Sequence, residues 1–298
     1  MISIYRGDDV TTFNFGDISV TRIEESLKPV FDPYKFMPDF DPALVEPHMS
    51  WLAPNHFDPE TGLLVMSMHS WLIRTPDHTI LIDTCVGDHT HIPNLPAYHM
   101  QQFPYLKNLA AAGVTPEEID YVLCTHLHSD HVGWHTKLVD GRHVPTFPNA
   151  RYVISKTEFE NSAASADAED NNGAFQSRIM PVVDAGLSEL VSGDHAIGDS
   201  LTITPAPGHT PGHVAMTLTH AGQNGLFIGD AMHSAIQGVF PDWNSAFCQD
   251  ADQARSTRRK LLEYCCEHDA LLMPQHFGIP FATKVQAREN AFAFDFMS

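Results

Sequence analysis

The chain has 298 residues, 43% of them hydrophobic, enough to bury a large core in one or two domains. Its formal charge of −20 repels phosphate backbones and anionic lipid, which argues against nucleic-acid and membrane partners. No apolar run approaches the roughly 18 residues of a spanning helix, and residues 1–10 lack the apolar stretch of a signal peptide, so a cytoplasmic location is the default expectation.

Residues 31–60 are rich in Pro, Phe and Asp. They read as a long extended loop anchored by Phe36, Phe40, Trp51 and Phe57, and loops of that length inside a domain usually serve function. A strand over 64–74, a turn at Pro76-Asp77-His78 and a returning strand over 79–83 form a pair. A helix over 104–112 stops at Gly113, and Thr115-Pro116-Glu117-Glu118 has the cap, proline and acids of a helix start. A short apolar strand over 121–124 follows, then a strand over 151–154 and a polar helical stretch from 156 to about 186. Strands recur over 201–204, 213–219 and 226–228, followed by a helix over 251–267 and a buried strand over 270–273. The densest basic cluster, residues 255–260, reads as one solvated face of that helix. Two runs of strands with interleaved helices predict an α/β chain with two sheets covered by helices.

The 19 histidines are the unusual feature, because imidazole is the commonest metal ligand. Three of them fall with an aspartate in Thr125-His126-Leu127-His128-Ser129-Asp130-His131, just after a strand. His126 and His128, two residues apart, can project the same way. Asp130 and His131, on the following turn, can face a second point nearby. Nitrogen and carboxylate donors suit zinc and other borderline divalent metals. Three further stretches each follow a strand and offer a donor: Pro207-Gly208-His209-Thr210-Pro211-Gly212-His213, Phe227-Ile228-Gly229-Asp230 and Met273-Pro274-Gln275-His276. The five cysteines, Cys85, Cys124, Cys248, Cys265 and Cys266, follow no zinc or disulfide spacing and suit a reduced compartment.

With these four motifs in this order, residues 64–278 resemble the metallo-β-lactamase superfamily. The resemblance implies an αββα sandwich, two mixed sheets flanked by helices, formed by one domain over residues 1–298. It also implies two divalent metal ions, zinc first, with manganese, iron or cobalt open. His126, His128 and His209 would hold one ion; Asp130, His131 and His276 the other; Asp230 would bridge both. Asp83 matches a position that supports the site without binding metal, and His213 is read as supporting or structural.

Asp230 departs from the true β-lactamases, where that position is usually cysteine or otherwise changed. The pattern fits the branch of glyoxalase II, lactonases and organophosphate hydrolases, and the proline-rich lead-in resembles the lactonase and methyl parathion hydrolase group. The implied activity is a binuclear hydrolase in which a metal-bridging hydroxide attacks a lactone or other small ester, with promiscuity toward organophosphates. The alternative is a glyoxalase II-like thioesterase. Asp130 and Asp230 are the candidates for moving a proton.

His233 occupies the offset where homoserine-lactone lactonases carry a substrate-contacting tyrosine, so it either donates to substrate oxygen or is simply packed. His89, His91 and His99 either line the pocket or are exposed, while Cys124, Cys265, Cys266 and Trp134 read as packing residues. Related lactonases are often dimers, which leaves room for a homodimer acting on a small-molecule substrate. A nuclease of the same superfamily is disfavoured by the acidic charge. A flavodiiron protein lacks room for its flavin domain here, and a mono-iron dioxygenase would lose second-site ligands.

Overall fold

The longest strand among the described residues, Ile18–Phe31, buries Ile18 and Val20 on one face and Ile23 on the other, with Thr21 and Arg22 also buried, so it is covered on both faces there. The computed structural model describes residues 2–6, 11–165 and 170–296. Of the expected leaderless start, residues 2–6 are described, with Ser3–Arg6 in a strand, and Met1 and residues 7–10 lie outside the described residues. The chain divides into two compact units, residues 1–26 with 68–193 and residues 27–67 with 194–298. The boundary falls inside two strands, Ile18–Phe31 and Leu63–Arg74.

In the first unit, Ser3–Arg6 and Thr11–Phe15 pair antiparallel, and Phe13 and Phe15 face Val20 and Ile18 of the next strand. Thr79–Ile82, Tyr121–Leu123, Arg151–Ser155 and Ser188–Val191 then run parallel to one another. Ile82 is in register with Leu123, so both strands end at the same edge. Asp83 and the histidine-rich loop leave from that edge together. A small ribbon, Thr136–Val139 with Arg142–Pro145, follows the loop.

The second unit repeats the device. Val214–His220 and Gln223–Phe227 form an antiparallel hairpin, and Gln223–Phe227 lies parallel to Ala270–Met273 with Phe227 opposite Met273. The two strand ends deliver Asp230 and His276 to one edge. His209 lies on the loop joining Leu201–Pro205 to Val214–His220, whose facing ends are Pro205 and Val214. The core here gathers Leu226, Ile228, Met232, Leu262, Leu272 and Phe277, with Phe36, Val45 and Leu52 from the aromatic segment. The α/β class and mixed sheets agree with the sequence expectation.

Three expectations are corrected. Residues 31–60 are not extended: they form short helical turns at Pro33–Phe36, Pro42–Val45, Glu46–His48 and Met49–Leu52. The cause is local. Asp32 and Asp41 each cap a helix whose first residue is proline, so the Asp-Pro pairs that read as loop signals are helix starts. The helical stretch from 156 to 186 is broken into Lys156–Ala164, a π turn at Phe175–Ile179 and Met180–Asp184. The basic cluster at 255–260 is not wholly solvated, because Arg258 is fully buried on the inward stripe of Ala251–Glu267 with Ala254, Leu262 and Cys265. Its guanidinium donates to the carbonyls of Ala231, Pro241 and Trp243 and to Asn244 Oδ1 at 2.6–2.8 Å. Burial lowers its pKa to about 10, so it keeps its charge at neutral pH.

Strands at Ser188–Val191, His195–Ile197, Thr283–Arg288 and Ala291–Asp295, and those before residue 31, were not expected from the pattern. Phe292 and Phe294 lie on the last of these: Phe292 is buried, and Phe294 packs on Phe277 at 5.8 Å.

Candidate metal centre

The first unit concentrates four donors on one loop. After Tyr121–Leu123 ends, residues 124–132 leave the sheet without regular structure and turn at His131, whose N–H donates to His128 O at 2.9 Å. His126 Nε2 and His128 Nδ1 face each other at 3.0 Å, as the two-residue spacing suggested. The other nitrogen of His126 lies 3.1 Å from Thr125 Oγ1. His131 Nδ1 meets Asp83 Oδ2 at 2.9 Å, which turns Nε2 toward Asp130 at 3.8 Å.

Asp83 has a left-handed backbone, φ 56°, and both its oxygens are used. Oδ1 accepts from Thr125 N–H and Oδ2 from Thr125 Oγ1, each at 2.8 Å. The carboxylate therefore holds the base of the loop and the ring of His131 at once, the supporting role expected of it. Glu158 is a further support that the sequence reading missed: it is buried, and Oε1 accepts from Leu127 N–H between the two facing histidines. Ser155-x-x-Glu158 looks like a helix-capping pattern, and Ser155 does cap, but the glutamate reaches the loop instead.

The frame around Asp83 is tight. Thr84 N–H donates to His131 O and Gly133 N–H to Cys85 O, each at 2.7 Å, and Trp134 N–H to Thr84 O at 2.9 Å. A Cβ on Gly133 would stand 1.8 Å from Val86 O, so only glycine permits this approach. Trp134 stacks on Tyr105 at 5.4 Å and donates to Glu25, in keeping with a packing role. Cys124 is buried, and burial pushes its thiol up, which leaves it a core residue.

The second unit brings its donors from three strand ends. Asp230 is buried, and three imidazoles converge on it: His276 Nε2 at 3.0 Å from Oδ1, and His233 Nε2 at 3.1 Å and His209 Nε2 at 3.4 Å from Oδ2. The far nitrogens are held. His276 Nδ1 lies 3.1 Å from Ser67 O, and His209 Nδ1 lies 3.7 Å from Cys248 Sγ. His213 is structural: Nδ1 meets Ala206 O, and Nε2 accepts from the Asp230 N–H, both at 3.1 Å. Gly208, φ 136°, lets the His209 loop touch the 251–267 helix, where a Cβ would sit 2.3 Å from Ala254 N. Arg258 fastens the same corner through Ala231 O.

His233 is buried, stacks parallel to His276 and meets Phe36 edge-on at 5.3 Å. Burial lowers its pKa against the opposing pull of Asp230, so the neutral ring is favoured. Its Nδ1 is buried without a hydrogen-bond partner among the described residues. Of the other flagged histidines, His89 and His91 line a cavity in the first unit, whereas His99 Nδ1 accepts from Ile92 N–H.

Each unit thus holds a donor set that fits a cation. Three imidazole nitrogens around a buried carboxylate, and two ring nitrogens aimed at each other, are arrangements that a divalent ion of the zinc class resolves. Among the described residues no helix is long and apolar enough to cross a membrane.

Comparison with known proteins agrees with this chemistry. The family model "Metallo-beta-lactamase superfamily" matches residues 65–276. An N-acyl homoserine lactonase of Bacillus cereus is 23% identical over 226 residues, covering 72% of this chain and 83% of the relative. A hydroxyacylglutathione hydrolase of Aeromonas salmonicida (strain A449) is 28% identical over 210 residues, covering 70% of this chain and 63% of the relative. Among solved structures, the hydrolase AbOPH of the beta lactamase superfamily matches with TM-score 0.82 at 23% identity over 99% of both chains. AidC, a dizinc quorum-quenching lactonase, matches with TM-score 0.71 at 20% identity over 100% of this chain and 97% of its own.

Proposed function

We propose, from the premise that this chain belongs to the metallo-beta-lactamase superfamily and is a hydrolase of it, that it opens lactones or other small esters at a two-metal centre. His126, His128 and His209 would hold one ion, Asp130, His131 and His276 the other, and Asp230 would serve both. Zinc is the first candidate. Two such ions, when bound, supply a water-derived nucleophile at neutral pH and a Lewis acid for the substrate oxygen.

One observation carries this reading: the far nitrogen of His126, His131, His209 and His276 lies against a protein group, Thr125, Asp83, Cys248 and Ser67 O respectively. Imidazoles tethered in this way present the remaining nitrogen in a fixed direction, as ligand histidines do. The remaining roles follow from position. His233 is neutral and buried with Nε2 3.1 Å from Asp230 Oδ2, so its one ring N–H faces that carboxylate and would turn to a substrate oxygen only once Asp230 is engaged by metal. Asp130, the more exposed of the two acidic donors, is the better placed to pass a proton to the leaving group, with Asp230 as the alternative. Phe36, against His233, supplies an apolar wall for the substrate's carbon skeleton. The reading carries with it a single folded domain over 1–298, a cytoplasmic location and a homodimer.

The test is proton release at constant pH from metal-replete protein given γ- and δ-lactones, with metal content measured in parallel and His128→Ala as control. Turnover lost together with metal in the control supports a metal-dependent lactonase. A protein that retains two metals and opens no lactone and cleaves no aryl ester sinks it. The thioesterase reading draws its support from the similarity to the hydroxyacylglutathione hydrolase. A glutathione thioester turned over far faster than any oxyester would put it first. A phosphotriester in the same panel tests the organophosphate promiscuity.

A further inference from the structure

The first unit contains a cavity of about 220 Å³ beside the histidine-rich loop, lined in part by Ser129, His89, His91, His143, Asn172 and Arg178. Ser129 stands between His128 and Asp130, so one wall of the cavity is the metal-binding loop itself. Arg178 sits on the π turn Phe175–Ile179 and is only 4% exposed. A π turn is rare and is frequently found at functional sites.

Every hydrogen bond of Arg178 goes to a neutral acceptor: Thr136 O and Oγ1, Asp88 O and Thr90 Oγ1. Two carboxylates, Glu25 and Asp88, act on it through space, but their hydrogen bonds go to other groups. Glu25 accepts from Val86, Gly87 and Trp134, and Asp88 Oδ1 accepts from Phe103 N–H at 2.7 Å. Among the described residues Arg178 has no ion pair, so a guanidinium fixed by carbonyls and hydroxyls stands at the cavity wall with no carboxylate in hydrogen-bond contact. In a chain of net charge −20, a buried, unpaired cation facing a cavity is an arrangement built to receive an anion. His143 adds a neutral ring, its pKa lowered by burial and by Arg178, and Asn172 is hydrogen-bonded to Ser129 at 3.3 Å.

We infer that this cavity is a carboxylate subsite: it takes an anionic group carried by the substrate some atoms away from the bond that is cut. The inference rests on the hydrolase reading above and narrows it, because it selects esters or lactones bearing a free carboxylate over neutral ones. The cavity is large enough for a carboxylate and a short carbon stem, and too small for a long acyl chain.

Two measurements on the metal-loaded protein test it. The first is calorimetric titration with succinate of the natural chain, of Arg178→Gln, and of Ser177→Glu; Ser177 also lines the cavity, so the glutamate places a carboxylate there while leaving Arg178 in position. Succinate binding weakened at least tenfold in both variants is the expected result; equal binding in all three overturns the inference. The second is the ratio of kcat/KM for phenyl esters carrying a carboxylate two to five carbons from the ester carbonyl to that for their neutral carboxamides. A ratio of ten or more, residing in KM and falling toward one in both variants, supports the subsite. A ratio near one in the natural chain, or inorganic phosphate displacing succinate with no preference for charged esters, shows a general anion site and overturns it. Succinate binding lost in the variants of a protein that hydrolyses no ester removes the hydrolase reading and keeps the cavity as a carboxylate site. Ester turnover with succinate binding indifferent to both substitutions does the reverse.

Discussion

The two units gather their candidate metal donors in opposite ways. The first takes four from six consecutive residues on one loop and stiffens that loop with buried carboxylates, Asp83 and Glu158. The second takes three from places far apart in sequence, His209, Asp230 and His276, and relies on strand register to bring them together. The first arrangement concentrates its information locally; the second distributes it, so its weakest point is the one residue on which the others converge. That residue is Asp230. Asp230→Asn keeps the shape, removes the charge facing three imidazoles, and is expected to cost more than about 100-fold in metal retention, since even outer partners of ligands cost 10–100-fold. Metal analysis after dialysis, with turnover alongside, checks it. A variant that retains full metal and activity would place the centre elsewhere.

The same contrast extends to the charges that hold each corner. In the second unit the anchor is a cation: Arg258 bonds three carbonyls and Asn244 beneath Asp230. Arg258→Met leaves those buried neutral acceptors without a donor, a loss of roughly 1–3 kcal/mol for each that stays unsatisfied. Urea unfolding of the metal-free protein reads it directly, and a change below about 1 kcal/mol would show that water takes over the guanidinium's bonds. In the metal-loaded protein the fall in stability should come with a fall in Asp230-dependent metal retention.

How far the sequence revealed all this follows the same division. His126, His128, Asp130 and His131 are legible because their spacing is a local fact, whereas Asp83 is picked out by its match to a family position. His209, Asp230 and His276 become legible only through family resemblance, since nothing in their own neighbourhoods says that they meet. The supports were hardest to see. Arg258 lies in a run of basic residues that propensity assigns to solvent, and only the helix phase, with Ala254 and Leu262 four residues to either side, turns it inward. Glu158 hides inside a capping pattern. The Asp-Pro pairs at 32–33 and 41–42 were read as loop because proline and aspartate signal turns and helix starts alike, and which one forms depends on whether the next few residues can be buried.

In the first unit the corresponding anchor is an anion. Glu25 is buried, and burial pushes its carboxyl up to about 7 despite hydrogen bonds from Val86, Gly87 and Trp134. The folded chain then holds a proton between about 4.5 and 7 that the unfolded chain has released, so stability falls as pH rises through that window. The size is at most roughly 3 kcal/mol at 1.36 kcal/mol per unit. Glu25→Gln should flatten the slope of unfolding free energy against pH over this range. An unchanged slope would mean that the carboxylate is ionised throughout and that its three donors outweigh burial. Either outcome says whether the loop frame in the first unit tightens on acidification, which nothing about Arg258 would do in the second.

The finest contrast is between the tethers of His131 and His209. One is a buried carboxylate 2.9 Å from Nδ1, the other a cysteine sulfur at 3.7 Å. A carboxylate raises the basicity of the ring it holds and fixes its tautomer, whereas sulfur is a weak acceptor. Asp83→Asn is therefore expected to weaken metal retention by about 10–100-fold. Cys248→Ala should weaken it by less than about threefold, well under the roughly 1 kcal/mol of an ordinary hydrogen bond. Competition with a chelator at fixed pH measures both on one scale. Equal losses would mean that the thiol, although weak, does as much to orient its histidine as the carboxylate does. A larger loss for Cys248→Ala would move the more demanding metal position to the His209 side, and with it the tighter of the two ions.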